Sequence, residues 1–345
     1  MQLALNFGYS GKLLRLPIDM IRQAEQLGYH SAWVAEAWGS DAVSAAAWIL
    51  AQTSSIKVGT AIMQVPARTP ANTAMSAMSL AQLSEGRFIL GLGASGPQVV
   101  EGWHGVGYRR PLTRLRECIE IVRLIMARGE PVVYSGEIYQ IPYRGQDATG
   151  LGKPLKSILR AETGIPIYTA SFTPAGFRLA GEIADGLLAV FMSPDKMDFM
   201  VGEIEKGFAR AGGGKGFADF DIAPNVAVQM GDDLDACRLP IKQTLALYIG
   251  GMGAKEKNFY NDFAKKMGYT DAAERIQSLY LGGKQREAVA AVPDELVDEV
   301  ALVGPEDRIA ERARGWLDKR DYIKTIMFNV RQPEVLPVLK RIFLQ

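Results

Sequence analysis

The run Glu36-Ala37-Trp38-Gly39-Ser40-Asp41 offers the first chemistry in this sequence. A carboxylate beside an indole can form the acid/base edge and the wall of a small-molecule pocket. Glu36 is the candidate acid or base, with an ion pair to a neighbouring arginine as its alternative. Trp38 is a candidate wall, and Asp41 either lines the pocket or caps the helix after it. His104, in Glu101-Gly102-Trp103-His104-Gly105, is the second candidate proton donor or acceptor. The chain's other histidine, His30, reads as structural. Gly91-Leu92-Gly93-Ala94-Ser95-Gly96 fits G-x-G-x-x-G and would let backbone approach a flat or anionic ligand. Ala170-Ser171-Phe172-Thr173-Pro174-Ala175 leads into a helix, where hydroxyls and free N–H groups can cradle a phosphate. An ordinary cap by Thr173 is the alternative there. The sequence carries no nucleophile elbow, P-loop or catalytic triad, and two distant histidines without a carboxylate cluster argue against catalytic zinc.

The elements around these residues place most of them on one face. Strands are expected at residues 3–7, 31–34, 56–63, 87–92, 165–170, 186–191, 223–229 and 323–329. Helix-period segments at 17–27, 41–52, 70–86, 113–128, 174–183, 195–211, 305–320 and 333–344 alternate with them. In the segment 113–128, Leu115, Ile119, Val122 and Met126 line one helical face. Eight mostly apolar strands with helices between them predict a parallel sheet closed into a (β/α)8 barrel. An open doubly wound sheet with a helical second domain is the alternative. About 250 residues suffice for such a barrel, which leaves roughly 95 for excursions. Most fall at about 129–164, with a hairpin turning at Ser135-Gly136, and at 232–300, which is charged and helix-patterned. Both are expected to extend a single domain at the C-terminal face, where barrel active sites lie. The same layout weakens a Rossmann reading of the glycine motif. That fingerprint needs a second strand about 20 residues on, where this chain begins a helix.

Composition narrows the partners. Of 345 residues, 48% are hydrophobic and 22% charged, and 39 basic against 38 acidic side chains give a net charge of +1. No basic excess points to nucleic acid. No apolar run reaches the roughly 18 residues of a membrane span, and the first residues lack the basic start of a secretory signal. Cys118 and Cys237 do not make a disulfide framework. A cytoplasmic, metal-free protein acting on a small molecule is the expectation.

Several motifs occur in a telling order. They are Phe7-Gly8-Tyr9, Trp33-Val34-Ala35-Glu36, Val58-Gly59-Thr60-Ala61-Ile62, Arg68-Thr69-Pro70, Gly86-Arg87-Phe88-Ile89-Leu90-Gly91-Leu92-Gly93, Leu179-Ala180-Gly181, Ala184-Asp185-Gly186 and Gly304-Pro305-Glu306-Asp307. Together they resemble the bacterial luciferase-like superfamily, an insertion-bearing (β/α)8 barrel. The run from Ser95 through Pro97 and Gln98 to Trp103-His104-Gly105 is similar to its coenzyme F420-dependent oxidoreductase branch.

The resemblance implies hydride transfer between the deazaflavin coenzyme F420 and a small organic substrate, with the cofactor carrying the difficult chemistry. It places the ring across the C-terminal mouth, over a non-prolyl cis peptide at Ala61 and Ile62. Ala94, Ser95 and Gly96 would touch the cofactor, and Ala170, Ser171, Phe172, Thr173 and Ala175 would hold its phosphate. Phe7, Trp38 and Asp41 would face the substrate, with Glu36 first and His104 second for acid/base work. Lys153, Lys156 and Arg160 are candidates for the anionic tail, with a plain solvated face as the other reading. Both excursions would supply a lid. A homodimer through helices near the second and third strands is expected, with Ala71, Ala74, Ala77 and Ala81 packing there or onto the barrel. Sugar-phosphate dehydrogenases of this superfamily carry a Glu where this chain has Gly96 and an Asp-His pair where it has Glu36-Ala37, so that substrate class is not expected. The alternatives are an FMN-dependent monooxygenase using reduced flavin and oxygen, and a non-catalytic cofactor-binding barrel, for which Pro97 beside the glycine turn is the one hint.

Overall fold

A computed structural model describes residues 1–9, 11–161, 164–253 and 256–344. Its strands are β1 (Gln2–Asn6), β2 (Ser31–Val34), β3 (Lys57–Thr60), β4 (Met63–Gln64), β5 (Phe88–Gly93), β6 (Tyr134–Ser135), β7 (Gln140–Ile141), β8 (Ile167–Ala170), β9 (Gly186–Val190), β10 (Asp221–Met230), β11 (Ala301–Gly304) and β12 (Thr325–Asn329). Eight of them close a parallel barrel in the order β1-β2-β3-β5-β8-β9-β10-β12 and back to β1. This is the expected (β/α)8 architecture. Alternation along each strand divides its side chains between two layers. Leu3, Leu5, Val58, Leu90 and Phe328 face the surrounding helices, while Ala4, Trp33, Ile89, Leu188, Ala223 and Met327 fill the interior.

Glycines set the width of that interior. A Cβ at Gly59 would lie 2.2 Å from the Trp33 indole, and one at Gly186 would lie 2.3 Å from the Tyr168 ring. The two rings meet edge to face, centroids 5.4 Å apart, and plug the barrel floor. At the end of β10 nearest that floor, the buried Asp221 accepts N–H bonds from Lys324 (2.8 Å) and Thr325 (3.0 Å) and the Tyr168 hydroxyl (3.0 Å). It thereby joins β8, β10 and β12.

Departures from the expected elements have local causes. The third strand is broken into β3 and β4 by the cis peptide Ala61-Ile62, and β4 then pairs with β5 through Met63↔Leu92 and Gln64↔Gly93. The hairpin β6–β7 pairs Ser135 with Gln140, so the turn occupies residues 136–139 rather than Ser135-Gly136. It wraps the buried Glu117 carboxylate, which accepts the N–H groups of Glu137 (2.7 Å), Ile138 (3.0 Å) and Tyr139 (2.9 Å). A short helix, Pro97–Gly102, and the strand β11 had no strong sequence signal. β11 runs parallel to the far half of β10, with Ala227↔Ala301 through Met230↔Gly304 in register. It closes the long helical excursion beside the strand from which the excursion departs.

The segment 129–164 leaves from the N-terminal end of the barrel, not from the mouth as expected, and only its hairpin climbs back along the outside of the helix Pro111–Ala127, where Glu137 pairs with Arg110. The segment follows the C-terminus of that helix, which delivers it to the N-terminal end of the barrel. There Lys156 Nζ donates to the Gly129 carbonyl (2.6 Å), Arg128 Nε to Ser157 (2.7 Å), and Gln82 Nε2 to Arg160 (2.7 Å). Ala74, Ala77 and Ala81 are buried in the main core, so the small-residue stripe packs onto the barrel within the chain. Among the described residues no helix is long and apolar enough to cross a membrane.

Two expectations follow. Gly91→Ala would set a Cβ 1.7 Å from the Thr60 carbonyl oxygen, whereas nothing lies within 4 Å of a Cβ at Gly202 in the helix Asp198–Ala211. Urea unfolding should show Gly91→Ala losing about 1–3 kcal/mol or more and Gly202→Ala gaining up to about 1 kcal/mol. His30 lies at the start of β2, where burial and then the charge of Lys57 pull its imidazole from 6.5 down to about 4. Folding holds it neutral, so stability is complete above pH 6.5 and falls as pH drops towards 4. Denaturant melts should lose about 1–3 kcal/mol over that window, a loss that His30→Gln removes.

Candidate active site at the barrel mouth

The C-terminal ends of the strands carry a ring of small residues above the aromatic plug. Ala61, Ile62, Ala94, Ser95, Gly96, Ala170, Ser171, Phe172 and Thr173 are all half-buried, along the ends of β3, β5 and β8. Close approach makes this shelf. The Thr60 hydroxyl donates to the Gly91 carbonyl (2.8 Å) and accepts the Gly91 N–H (2.9 Å). A Cβ at Gly93 would lie 2.7 Å from the Ile62 side chain. The glycines of the G-x-G-x-x-G run therefore let β5 lie against the break between β3 and β4. Beyond them Ser95 takes φ +60°, a left-handed conformation uncommon for a residue with a side chain, and its carbonyl accepts the Tyr108 hydroxyl (3.2 Å). Pro97 opens the helix Pro97–Gly102, a position where its missing N–H costs nothing.

Glu36 accepts four hydrogen bonds from three residues. Arg68 makes a bidentate pair with its carboxylate at 2.6 and 2.8 Å, and the backbone N–H groups of Gln64 (2.9 Å) and Ala42 (3.2 Å) also donate to it. The Glu36 side chain is 6% exposed. Its own N–H donates to the Ile62 carbonyl (3.1 Å), so Glu36 ties β2 to the residue after the cis bond. Asp41 caps the helix Ala42–Gln52 through the Ser44 N–H (2.9 Å) and lies 3.7 Å from Arg68. Partial burial opposes its ionisation, but the Ser44 bonds and the Arg68 charge outweigh this and hold its carboxyl below the usual range.

His104 reaches the same cluster through a residue that the sequence did not flag. Its Nε2 lies 2.9 Å from the Gln64 Oε1, and the Gln64 Nε2 donates to the Ala37 carbonyl (2.7 Å). The second bond fixes the amide orientation, so the His104 Nε2 is the protonated nitrogen of the neutral ring. Gln64, 2% exposed, thus links His104 to the Glu36–Arg68 pair.

At the phosphate candidate, Thr173 caps the helix Pro174–Ile183 through the Gly176 N–H (3.1 Å), and the Ser171 hydroxyl accepts the Thr173 N–H (3.2 Å). A Cβ at Gly176 would lie 1.8 Å from the Ser171 hydroxyl, so that glycine makes room for the serine over the helix start. Ala175 is exposed in the first turn. Lys153, Lys156 and Arg160 lie in the segment that returns to the N-terminal end, away from this helix start. They are not brought to the mouth, and the solvated-face reading fits them.

The remaining rim is aromatic. Phe7 packs against the main core and its N–H donates to the Trp33 carbonyl (3.0 Å). Trp38 is 50% exposed, with its ring 6.4 Å from that of Tyr9. The long excursion adds Tyr248, on the π-helical turn Leu247–Gly251, and Tyr260, on the helix Phe259–Lys266. Tyr248 hydrogen-bonds the Tyr9 hydroxyl and packs on Phe191 (5.1 Å) and Tyr260 (4.7 Å). Burial pushes all three phenols above their ordinary range. No sequence signal marks these tyrosines, since helical periodicity says nothing about which barrel strand an excursion leans over.

Three buried side-chain atoms lack a partner among the described residues, Thr169 Oγ1, Ser193 Oγ and Asn225 Oδ1. Asn225, on β10, shares the inward face of Ala223, and its Oδ1 is shielded with nothing to accept from. An unpartnered amide oxygen on β10 and a shelf of half-buried residues on β3, β5 and β8 suit a planar polar ring seated across the mouth. Among the described residues no group of three or more His, Cys, Asp or Glu side chains could hold a metal ion.

Comparisons with known proteins place the chain in a family. Rv3520c of Mycobacterium tuberculosis, provisionally named a coenzyme F420-dependent oxidoreductase, is 44% identical over 321 residues, 92% of each chain. The 5,10-methylenetetrahydromethanopterin reductase of Archaeoglobus fulgidus is 27% identical over 296 residues, 85% of this chain and 83% of its own. The coenzyme F420-dependent tetrahydromethanopterin reductase of Methanopyrus kandleri superposes with a TM-score of 0.79 at 21% identity, covering 99% of this chain and 98% of that one. Residues 8–319 match the family described as luciferase-like monooxygenase. The chain is an enzyme of the luciferase-like family.

Proposed function

We propose that this enzyme is a coenzyme F420-dependent oxidoreductase acting on a small organic substrate. The observation that carries the reading is the shelf of half-buried residues from Ala61 to Ala170, with the unpartnered Asn225 Oδ1 on β10 of the same barrel, together with the likeness to Rv3520c. Bound there, the deazaflavin would supply a two-electron hydride donor or acceptor. Ala61, Ile62, Ala94, Ser95 and Gly96 would contact its ring, while Ser171, Thr173 and the N–H groups near Ala175 would bind its phosphate.

The chain's own part is orientation and one proton. Glu36 is better suited to positioning than to proton transfer, because four donors already occupy its carboxylate. It holds the Ala42 helix start, β4 and Arg68 in one arrangement beneath the shelf. His104 is the stronger candidate for moving a proton. Gln64 occupies its Nε2–H, so the Nδ1 lone pair is the available acceptor in the neutral ring. Water exclusion would fall to residues 94–110 and to the excursion after β10, which meet where Lys257 Nζ lies 5.5 Å from the Tyr108 ring.

Titrating the purified protein with F420 and with FMN, and following the absorbance and fluorescence of each ring, should give saturable binding of F420 at least tenfold tighter than of FMN. FMN binding without F420 binding would replace this reading with a flavin monooxygenase. Failure of both would favour a barrel without cofactor. Arg68→Met should leave the Glu36 carboxylate buried without its bidentate partner. Denaturant melts should then show a loss of about 3–5 kcal/mol, whereas Lys156→Met at the N-terminal end should change stability by less than about 0.5 kcal/mol.

A further inference from the structure

An arc of rings follows one half of the rim. Trp38 comes from the loop after β2, Tyr9 from the loop after β1, Phe191 and Phe172 from the ends of β9 and β8, and Tyr248 and Tyr260 from the excursion after β10. Each touches the next. Tyr9 and Trp38 lie 6.4 Å apart, Tyr248 and Phe191 5.1 Å, Tyr248 and Tyr260 4.7 Å, and Tyr260 and Phe172 4.6 Å, with the Tyr9–Tyr248 hydrogen bond joining the two halves. The cis peptide and glycine run occupy the opposite half, on β3, β4 and β5. Phe191 takes φ +52°, and Tyr248 sits on a π turn. Neither conformation is a default for an ordinary side chain, and both recur at functional sites.

None of these six side chains is charged at neutral pH. Burial keeps the three phenols protonated. Of the nearby charges, Glu36, Asp41 and Arg68 are spent on one another, and Lys257 lies over the Tyr108 ring, 5.5 Å from its centroid. An anion entering this half of the mouth would shed water and meet no counter-charge from the arc. A flat uncharged molecule would instead exchange hydration for aromatic contact. The tyrosine pair adds one directional bond. Two hydroxyls joined to each other use one of their two protons, and the other remains to donate outward. Tyr9, 36% exposed at the outer edge, is placed to donate it.

Resting on the cofactor reading above, we infer that the substrate side of the mouth takes a flat, uncharged aryl or conjugated carbonyl compound, its oxygen held by the Tyr9–Tyr248 hydroxyl pair. Calorimetric titration of the F420-loaded protein tests this without turnover, using 1-tetralone and glucose 6-phosphate as probes. The expected result is saturable 1-tetralone binding and none for the sugar phosphate. Tyr248→Leu should weaken 1-tetralone at least tenfold, and Tyr9→Phe, which keeps the ring, should weaken it by about two- to tenfold. F420 affinity should be unchanged in both variants, which also shows that they fold. Sugar-phosphate binding as tight as that of 1-tetralone, absence of 1-tetralone binding, or indifference to both substitutions would overturn the inference. Any of these with F420 binding intact would leave the cofactor reading standing. Loss of F420 binding by the unsubstituted protein would sink the cofactor reading itself.

Discussion

The Glu36 carboxylate is the constraint on which the mouth of this barrel depends. A single buried charge gathers a guanidinium, a helix start and the Gln64 N–H at the end of β4, and so fixes three chain segments at once. A buried anion is tolerable only when its lone pairs are filled, and here the Arg68 side chain and the backbone of Gln64 and Ala42 fill them. The shelf above inherits that rigidity. Gln64 is held by its own N–H to Glu36 and by its side chain to Ala37, and it in turn orients His104. One electrostatic anchor thus reaches from the barrel wall to the His104 imidazole.

Steric fit does the complementary work on the next strand. β5 can lie against the break in the third strand only because Gly91 and Gly93 present no side chains to Thr60 and Ile62. The same run had suggested a dinucleotide fingerprint, and its first two glycines serve strand packing instead. Glycine at such positions answers two demands that look identical in sequence, close approach of backbone to a ligand and close approach of backbone to backbone.

Most of the architecture was legible because strand and helix periodicities alternate cleanly along the chain. What was lost has identifiable physical origins. β11 is only four residues long and follows an acidic helix, so its apolar pattern is too brief to stand out. The end of the barrel from which 129–164 departs is hidden because hydropathy does not say that a segment after a helix returns to the start of the next strand. At the site, a carboxylate just past a strand carries the same signature whether it does chemistry or pairs with an arginine 32 residues away. Gln64 was overlooked because an amide inside a strand announces nothing about its partners. Tyr248 was overlooked because its position depends on how an entire helical layer leans.

The long excursion leaves the barrel at the end of β10 and comes home on β11, hydrogen-bonded to that very strand. The Gln332 side chain grips both the N–H and the carbonyl of Met230, each at 2.9 Å, and clamps the exit point. Departure and return therefore share one seam. The helices between them form a cassette that descendants of this gene can lengthen, trim or exchange without disturbing the register of any other barrel strand. Diversification of specificity can proceed there while the wall that bears Glu36 and the glycine seam is inherited intact.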